Sequence, residues 1–234
     1  MRKLFSMLLG ITMLFTLSAP ALAAPPAPEF DVESILREAV IVTLDGEELD
    51  LGGTPVIHTR QVSNVNARGV SGEVDYVSSV AIDIDFTETK NELGETVLTP
   101  RANYSKEEVE THGSNMRIYT TIYWSTGEVY DAGAYVPYVK LTRVSSTYEL
   151  LDTTCRVSNK CLRYQYAGYD LDDDVLDNYT SPWYTTTNYS VTAPHLEATP
   201  GGIYFELCGE SKCTLTRGNQ TWDLITSSYL NSFE

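Results

Sequence analysis

The stretch MRIYTTIYWSTGEVYDAGAYVPYVKLTRVSSTYELLDTTCRVSNKCLRYQYAGY, residues 116–169, decides the fold. At its start Met116, Ile118 and Trp124 share one parity of the chain, and Arg117 and the tyrosines share the other. A repeat of two places one set of side chains on a core and the other set in solvent. The stretch therefore predicts a meander of four strands with a cysteine-bounded turn, CRVSNKC. The predicted strands are Met116–Trp124, Ala134–Val144, Thr147–Val157 and Cys161–Tyr169.

The segments on either side carry the same kind of signal. Val74–Thr87 alternates apolar and acidic residues, as a half-buried strand does. Asp45-Gly46 lies between two short apolar runs, which is typical of a hairpin with a two-residue primed turn. Further short strands are expected between Ile203 and Ser227. Together they predict an all-β fold: an antiparallel β-sandwich or barrel-like domain of roughly 8–10 short strands, with little helix.

Composition divides the chain into four segments. Residues 1–23 combine a basic head, an apolar run and a small-residue cleavage pattern, so they are predicted to be a signal peptide. Residues 24–30 form a proline-rich leader that we expect to be disordered. We expect an N-terminal hairpin and a long loop in residues 31–73, and the main all-β domain in residues 74–234. The predicted location is extracellular, with no membrane span in the mature chain.

Charge and missing motifs narrow the classes of function. The formal net charge is −16, which repels nucleic-acid phosphates, so we expect no nucleic-acid partner. The chain contains no G-x-S-x-G elbow, no H-E-x-x-H pair and no phosphate-binding loop with its lysine. The three histidines, His58, His112 and His195, all fall in predicted loops. These observations favour a protein that is not an enzyme.

The four cysteines are Cys155, Cys161, Cys208 and Cys213. An even number after a signal peptide predicts two disulfides, for which three connectivities are possible. Each of the pairs Cys155–Cys161 and Cys208–Cys213 brackets a short polar segment that we interpret as a hairpin turn, so this pairing is favoured. Zinc binding is the alternative, but the spacings C-x5-C and C-x4-C differ from the usual C-x2-C knuckle.

An acidic segment provides a candidate metal site. Asp170, Asp172, Asp174 and Asp177 recur as D-x-D-x-D-x-x-D, and their carboxylates are the hard oxygen ligands that calcium prefers. The segment departs from an EF-hand loop, because Val175 replaces the glycine and a serine replaces the bidentate glutamate. The alternative is a solvated acidic turn in an acidic chain. Calcium is thus the one cofactor that the sequence suggests.

Tyrosine is unusually frequent, with sixteen in the chain. Tyr119, Tyr123 and Tyr138 lie on the parity opposite the predicted core, whereas Tyr164 and Tyr166 share the core parity. We therefore interpret the first three as a solvent-facing aromatic platform that stacks on sugars or on a partner protein. The alternative is structural, since tyrosine is also favoured in cross-strand pairs that cover a sheet.

Three functions remain open. We favour a secreted, non-enzymatic binding or surface-interaction module whose partner is a cell-surface glycan or protein. The second is a secreted hydrolase that acts on carbohydrate through an Asp/Glu pair. Asp83 and Asp85 lie on one strand face at roughly 7 Å, within the range of inverting enzymes. The third is a small secreted effector or inhibitor that recognises its target through the predicted long loops, residues 52–73 and 178–200.

Overall fold

The computed structural model describes residues 36–52, 57–62, 74–105, 115–131, 134–169, 176–193 and 205–232. These residues form strands, turns and bends, and within them no helix occurs that would be long and apolar enough to cross a membrane. The predicted signal peptide and leader, residues 1–23 and 24–30, lie outside the described residues.

Thirteen strands are described. The first six are β1 (Leu36–Leu44), β2 (Glu47–Glu48), β3 (Leu51–Gly52), β4 (Ile57–Val62), β5 (Val74–Lys90) and β6 (Thr96–Tyr104). The other seven are β7 (Met116–Asp131), β8 (Ala134–Leu150), β9 (Cys155–Tyr169), β10 (Leu176–Thr180), β11 (Ser190–Thr192), β12 (Phe205–Arg217) and β13 (Gln220–Ser232). The number exceeds the roughly 8–10 expected, because β4, β6, β10 and β11 lie mostly in segments in which no strand was predicted.

The strands form two sheets. Sheet A has the order β10-β9-β12-β13-β1-β2, and sheet B has the order β11-β8-β7-β5-β6-β3. Strand β4 also belongs to sheet B, where it pairs with the first part of β5 and β6 pairs with the second part. Every described pairing is antiparallel except that of β3 with β6. One sheet curls into a half-barrel. The predicted all-β, antiparallel sandwich or barrel-like class is thus confirmed.

The core lies between the two sheets. Period-two alternation turns Ile82 and Met116 of sheet B toward Leu215 and Leu224 of sheet A, and all four side chains are fully buried in one cluster. Burying a side chain of this size contributes about 1.5–3 kcal/mol, so such a cluster accounts for much of the fold's stability. The sheets approach closely at Gly209 of β12, where an added Cβ would lie 2.8 Å from a methyl of Val144.

The N-terminal hairpin forms where it was predicted. Asp45 and Gly46 both have positive φ, 48° and 89°, as a primed two-residue turn requires, and Leu44 pairs with Glu47 across it. Strand β1 continues along β13 in sheet A, from the pair Leu36–Ser232 to the pair Leu44–Leu224. The boundary between residues 31–73 and 74–234 stays a prediction.

The stretch 116–169 contains three strands, so the prediction of four is wrong. Residues 125–131, which follow the predicted strand Met116–Trp124, lie inside β7, and CRVSNKC lies inside β9. Two β-bulges also interrupt the alternation in this stretch, because each inserts one residue and changes the parity of the side chains beyond it. One lies opposite the step from Tyr123 to Trp124, and the other lies opposite Cys213. The predicted strand Thr147–Val157 spans the actual turn at residues 151–154, and the polar segment within CRVSNKC was interpreted as a turn although β9 runs through it.

Candidate functional site

The outer face of sheet B carries a row of four side chains that crosses four strands. Arg60 of β4 pairs with Val77 of β5, Val77 pairs with Tyr123 of β7, and Tyr123 pairs with Arg143 of β8. Residues directly opposite each other project from the same face of a sheet. The row spans three inter-strand gaps, so its outer Cα atoms are about 14 Å apart. The two arginines enclose an apolar and an aromatic side chain, and Thr192 of β11 pairs with Arg143 beyond them.

A groove of about 500 Å³ lies over this row. Its lining includes Arg60, Val62, Asp75, Val77, Tyr123 and Arg143. Val77 points away from the core but is only 8 % exposed, so it forms the floor. The Arg143 guanidinium carbon lies 3.6 Å from the centroid of the Tyr123 ring, a cation–π contact that holds the ring and covers one of its faces.

The bulge in β8 builds this arrangement. Thr142 is the extra residue, so Arg143 stands opposite Tyr123 while Leu141 stands opposite Trp124. Beneath the groove the Trp124 ring stacks on Tyr76 at 4.4 Å. The bulge therefore places Arg143 of β8 on the outer face of the sheet, next to the position where Trp124 of β7 faces the core.

Ser78 ties the strands together under the floor. The Trp124 indole N–H donates a hydrogen bond to the Ser78 hydroxyl at 3.0 Å, and the same hydroxyl lies 2.7 Å from that of Thr59 in β4. Buried and satisfied polar contacts of this kind fix the register of neighbouring strands. These hydrogen bonds therefore hold the floor of the groove in one geometry.

A row of hydroxyl groups runs beside the groove. The row begins with His58 of β4 and continues, pair by pair, through three hydroxyl residues: Ser79 of β5, Thr121 of β7 and Ser145 of β8. The Ser79 and Thr121 hydroxyls lie 3.0 Å apart, and Ser145 donates to the Tyr123 hydroxyl at 3.5 Å. Each hydroxyl has one donor and two acceptor sites, so the row retains capacity for a polar ligand.

The three predicted platform tyrosines have different environments. Tyr123 lines the groove, and Tyr119 is half-buried further along β7, with its hydroxyl 3.4 Å from a Glu149 carboxylate oxygen. Tyr138 is only 7 % exposed, because its ring lies across Gly127, where an added Cβ would be 2.6 Å from the tyrosine oxygen. An aromatic ring commonly covers a strand glycine in this way. Tyr138 therefore does not belong to an open surface.

Asp83 and Asp85 of the alternative hydrolase hypothesis each contact a nitrogen donor. Arg117 reaches the two oxygens of Asp83 through Nε at 2.6 Å and through a terminal nitrogen at 3.1 Å. This hydrogen bond, the largest cause, raises the pKa of Arg117 above its usual value. Asp85 accepts a long bond of 3.5 Å from the Asn103 amide. A carboxylate held by both oxygens in an ion pair is poorly suited to general acid catalysis.

The four cysteines are unpaired thiols, and the favoured disulfide pairing is wrong. Cys155 and Cys161 both belong to β9, and Cys208 and Cys213 both belong to β12. Five or six residues of strand span roughly 16–20 Å, whereas a disulfide requires Cα atoms within about 7 Å. Three of the thiols are buried, and burial raises the pKa of Cys213 to about 12.

The calcium prediction falls largely outside the described residues. Asp170, Asp172 and Asp174 are not among them, and Asp177 is described only as a backbone position of β10, paired with Gly168. In the described ranges no three His, Cys, Asp or Glu side chains converge in a way that would hold a metal ion. Calcium binding at the four aspartates stays a prediction.

A cluster of stacked tyrosines at the edge of sheet A was missed. Tyr179 stacks on Tyr166 at 5.3 Å and on Tyr164 at 5.8 Å, and Tyr184 stacks on Tyr164 at 6.3 Å. Residues 178–200 were predicted to be a loop, but β10 pairs with β9 and Tyr184 bridges to Leu162. The density of tyrosine in this segment was the available signal.

Comparisons with protein-family models, with curated proteins and with solved structures found no match to this chain. The groove on sheet B is therefore interpreted from its own chemistry.

Proposed function

We propose that the chain is a secreted, non-enzymatic binding module and that the groove on the outer face of sheet B is its ligand site. The observation that carries the proposal is the groove itself: about 500 Å³, with Tyr123 held by Arg143 above the Val77 floor. Ligand sites are typically concave, preformed, and lined by apolar and aromatic groups with a few polar ones. Secretion rests on the predicted signal peptide, residues 1–23.

The lining chemistry favours binding over hydrolysis. Among the lining residues that the structure describes, Asp75 is the one carboxylate, and no serine, cysteine or histidine accompanies it. Glycoside hydrolysis usually needs two carboxyl groups, one on each side of the scissile bond. A groove with two guanidinium groups and an aromatic ring is instead equipped to hold a ligand by charge and contact area.

The partner we propose is a cell-surface ligand, a glycan or a protein, and the test is capture of the purified chain on cell-wall material and on a glycan array. We expect Tyr123→Ala to lose capture and Arg143→Ala to reduce it, while both keep the wild-type circular dichroism spectrum. Tyr179→Ala is the matched control, because Tyr179 is 38 % exposed but belongs to sheet A. Undiminished capture by both groove variants would show that the groove is not the ligand site.

A further inference from the structure

The groove differs in charge from the rest of the chain. The formal net charge of the protein is −16, yet the described lining of the groove holds two arginines and one aspartate. Arg60 and Arg143 are both exposed, and Lys140 lies in the next row, opposite Ser125. At physiological ionic strength charges are screened beyond about 8 Å, so a short ligand in the groove responds mainly to these nearby cations.

The spacing of the cations suits an extended ligand. Arg60 and Arg143 lie about 14 Å apart across the strands, with Val77 and Tyr123 between them and Thr192 of β11 beyond Arg143. Guanidinium groups bind carboxylates through two parallel N–H donors. A ligand with anionic groups at separated points and a less polar middle would therefore match the row along its length.

The neighbouring hydroxyl row identifies the uncharged part of the ligand. Ser79, Thr121 and Ser145 lie beside the row of the groove, and the Tyr123 hydroxyl is linked to Ser145 at 3.5 Å. Hydroxyl groups both donate and accept, so they suit a ligand that is itself rich in hydroxyl groups. Tyr123 is half-buried and lines the groove, so the part of its ring that faces the groove provides contact area for a sugar ring.

The backbone of β5, beneath the centre of the groove, argues against a peptide ligand there. Strand β5 is paired with β4 from Asp75 to Val80 and with β7 from Val74 to Ile84, so its main-chain groups beneath the groove are already used. An extended peptide brings a donor and an acceptor with every residue, and these usually find partners at the edge of a sheet. A sugar chain brings hydroxyl and carboxylate groups, and side chains on the face of a sheet can form hydrogen bonds and ion pairs with them.

We infer that the groove binds a short acidic oligosaccharide, with sugar carboxylates at Arg60 and Arg143 and a ring against Tyr123. This inference rests on the proposed function, because it names the ligand class of the same site. It predicts that binding depends on the ligand's carboxylates and weakens as salt rises, since exposed ion pairs are screened.

The test is calorimetric titration of the full chain with three probes: trigalacturonate, its methyl ester and pentaglutamate. We expect trigalacturonate to bind and the other two to bind at least tenfold more weakly, about 1.4 kcal/mol. Arg60→Gln and Arg143→Gln should each weaken binding about fivefold, the effect of one exposed ion pair. Arg156→Gln is the control, because Arg156 is exposed on sheet A. The thermal midpoint of each variant establishes that it is folded.

The outcomes separate the two proposals. Equal binding of the methyl ester would overturn the role of the carboxylates, and equal binding of pentaglutamate would overturn the choice of a saccharide. Binding of no probe, or binding that Arg60→Gln and Arg143→Gln leave unchanged, would also overturn the inference. In each case the proposed binding function stands or falls separately, by whether Tyr123→Ala loses capture on cell-wall material.

Discussion

Gly209 provides a quantitative test of how the two sheets pack. A Cβ at this position of β12 would lie 2.8 Å and 3.3 Å from the two methyls of Val144 and 3.1 Å from Cγ1 of Ile122. Alanine is favoured over glycine in a strand by roughly 0.5–1 kcal/mol, whereas overpacking a core costs about 1–3 kcal/mol. The steric cost is the larger effect, so Gly209→Ala should lower the free energy of unfolding by about 1–2 kcal/mol.

A double-mutant cycle isolates the contact. Val144→Ala alone should cost about 2 kcal/mol, because it removes two buried methyl groups. In the double variant the smaller side chain at position 144 leaves room for the methyl group added at position 209. The loss of unfolding free energy in the double variant should therefore be about 1 kcal/mol smaller than the sum of the two single losses. Urea unfolding followed by circular dichroism provides all four values. Stabilisation by Gly209→Ala, or strict additivity in the double variant, would refute the packing of β12 against β8.

Three further predictions concern thiols, acid and charge. A disulfide reagent should react readily with the partly exposed Cys161 of the native chain and with all four thiols only in denaturant, because the other three are buried; fewer than four would show a disulfide. Hydrogen bonds from Thr154 lower the pKa of Asp152 from 3.8, so the stability they contribute is present at neutral pH and is lost below about pH 4. Asp152→Asn should flatten this acid limb of a pH–stability curve, and an unchanged limb would contradict the assignment. Asp83→Asn should cost about 2 kcal/mol in chemical denaturation, because Arg117 is largely buried and loses its counter-charge; a cost near zero would contradict that account.

The fold class could be predicted because the alternation of apolar and polar residues along a strand indicates directly which side chains are buried. Ile82, Ile118 and Leu224 all face the core as their parity indicates. The number of strands in residues 116–169 could not be predicted, because a bulge and a turn both interrupt alternation. The segment between Cys155 and Cys161 was interpreted as a hairpin turn because it is short and polar, although it continues a strand.

Only part of the groove could be predicted from the sequence. Parity placed Tyr123 on the outer face, and that prediction needed no knowledge of strand order. Arg60 was not identified, because its position beside Val77 depends on the pairing of β4 with β5. The outward position of Arg143 depends on the bulge at Thr142, and the burial of Tyr138 depends on its pairing with Gly127. Contacts between strands depend on register, which the local pattern of residues does not specify.

The central claim is that the groove over Val77 and Tyr123 is the ligand site, and filling the groove tests it most directly. Val77→Phe enlarges a floor residue on the outer face of β5 and leaves every charge and the opposing core untouched. The measurement is capture of this variant on cell-wall material beside the wild type, with the thermal midpoint as a check on folding. We predict that capture is lost while the midpoint stays within a few degrees of the wild-type value. Full capture by a folded Val77→Phe variant would contradict the assignment of the site.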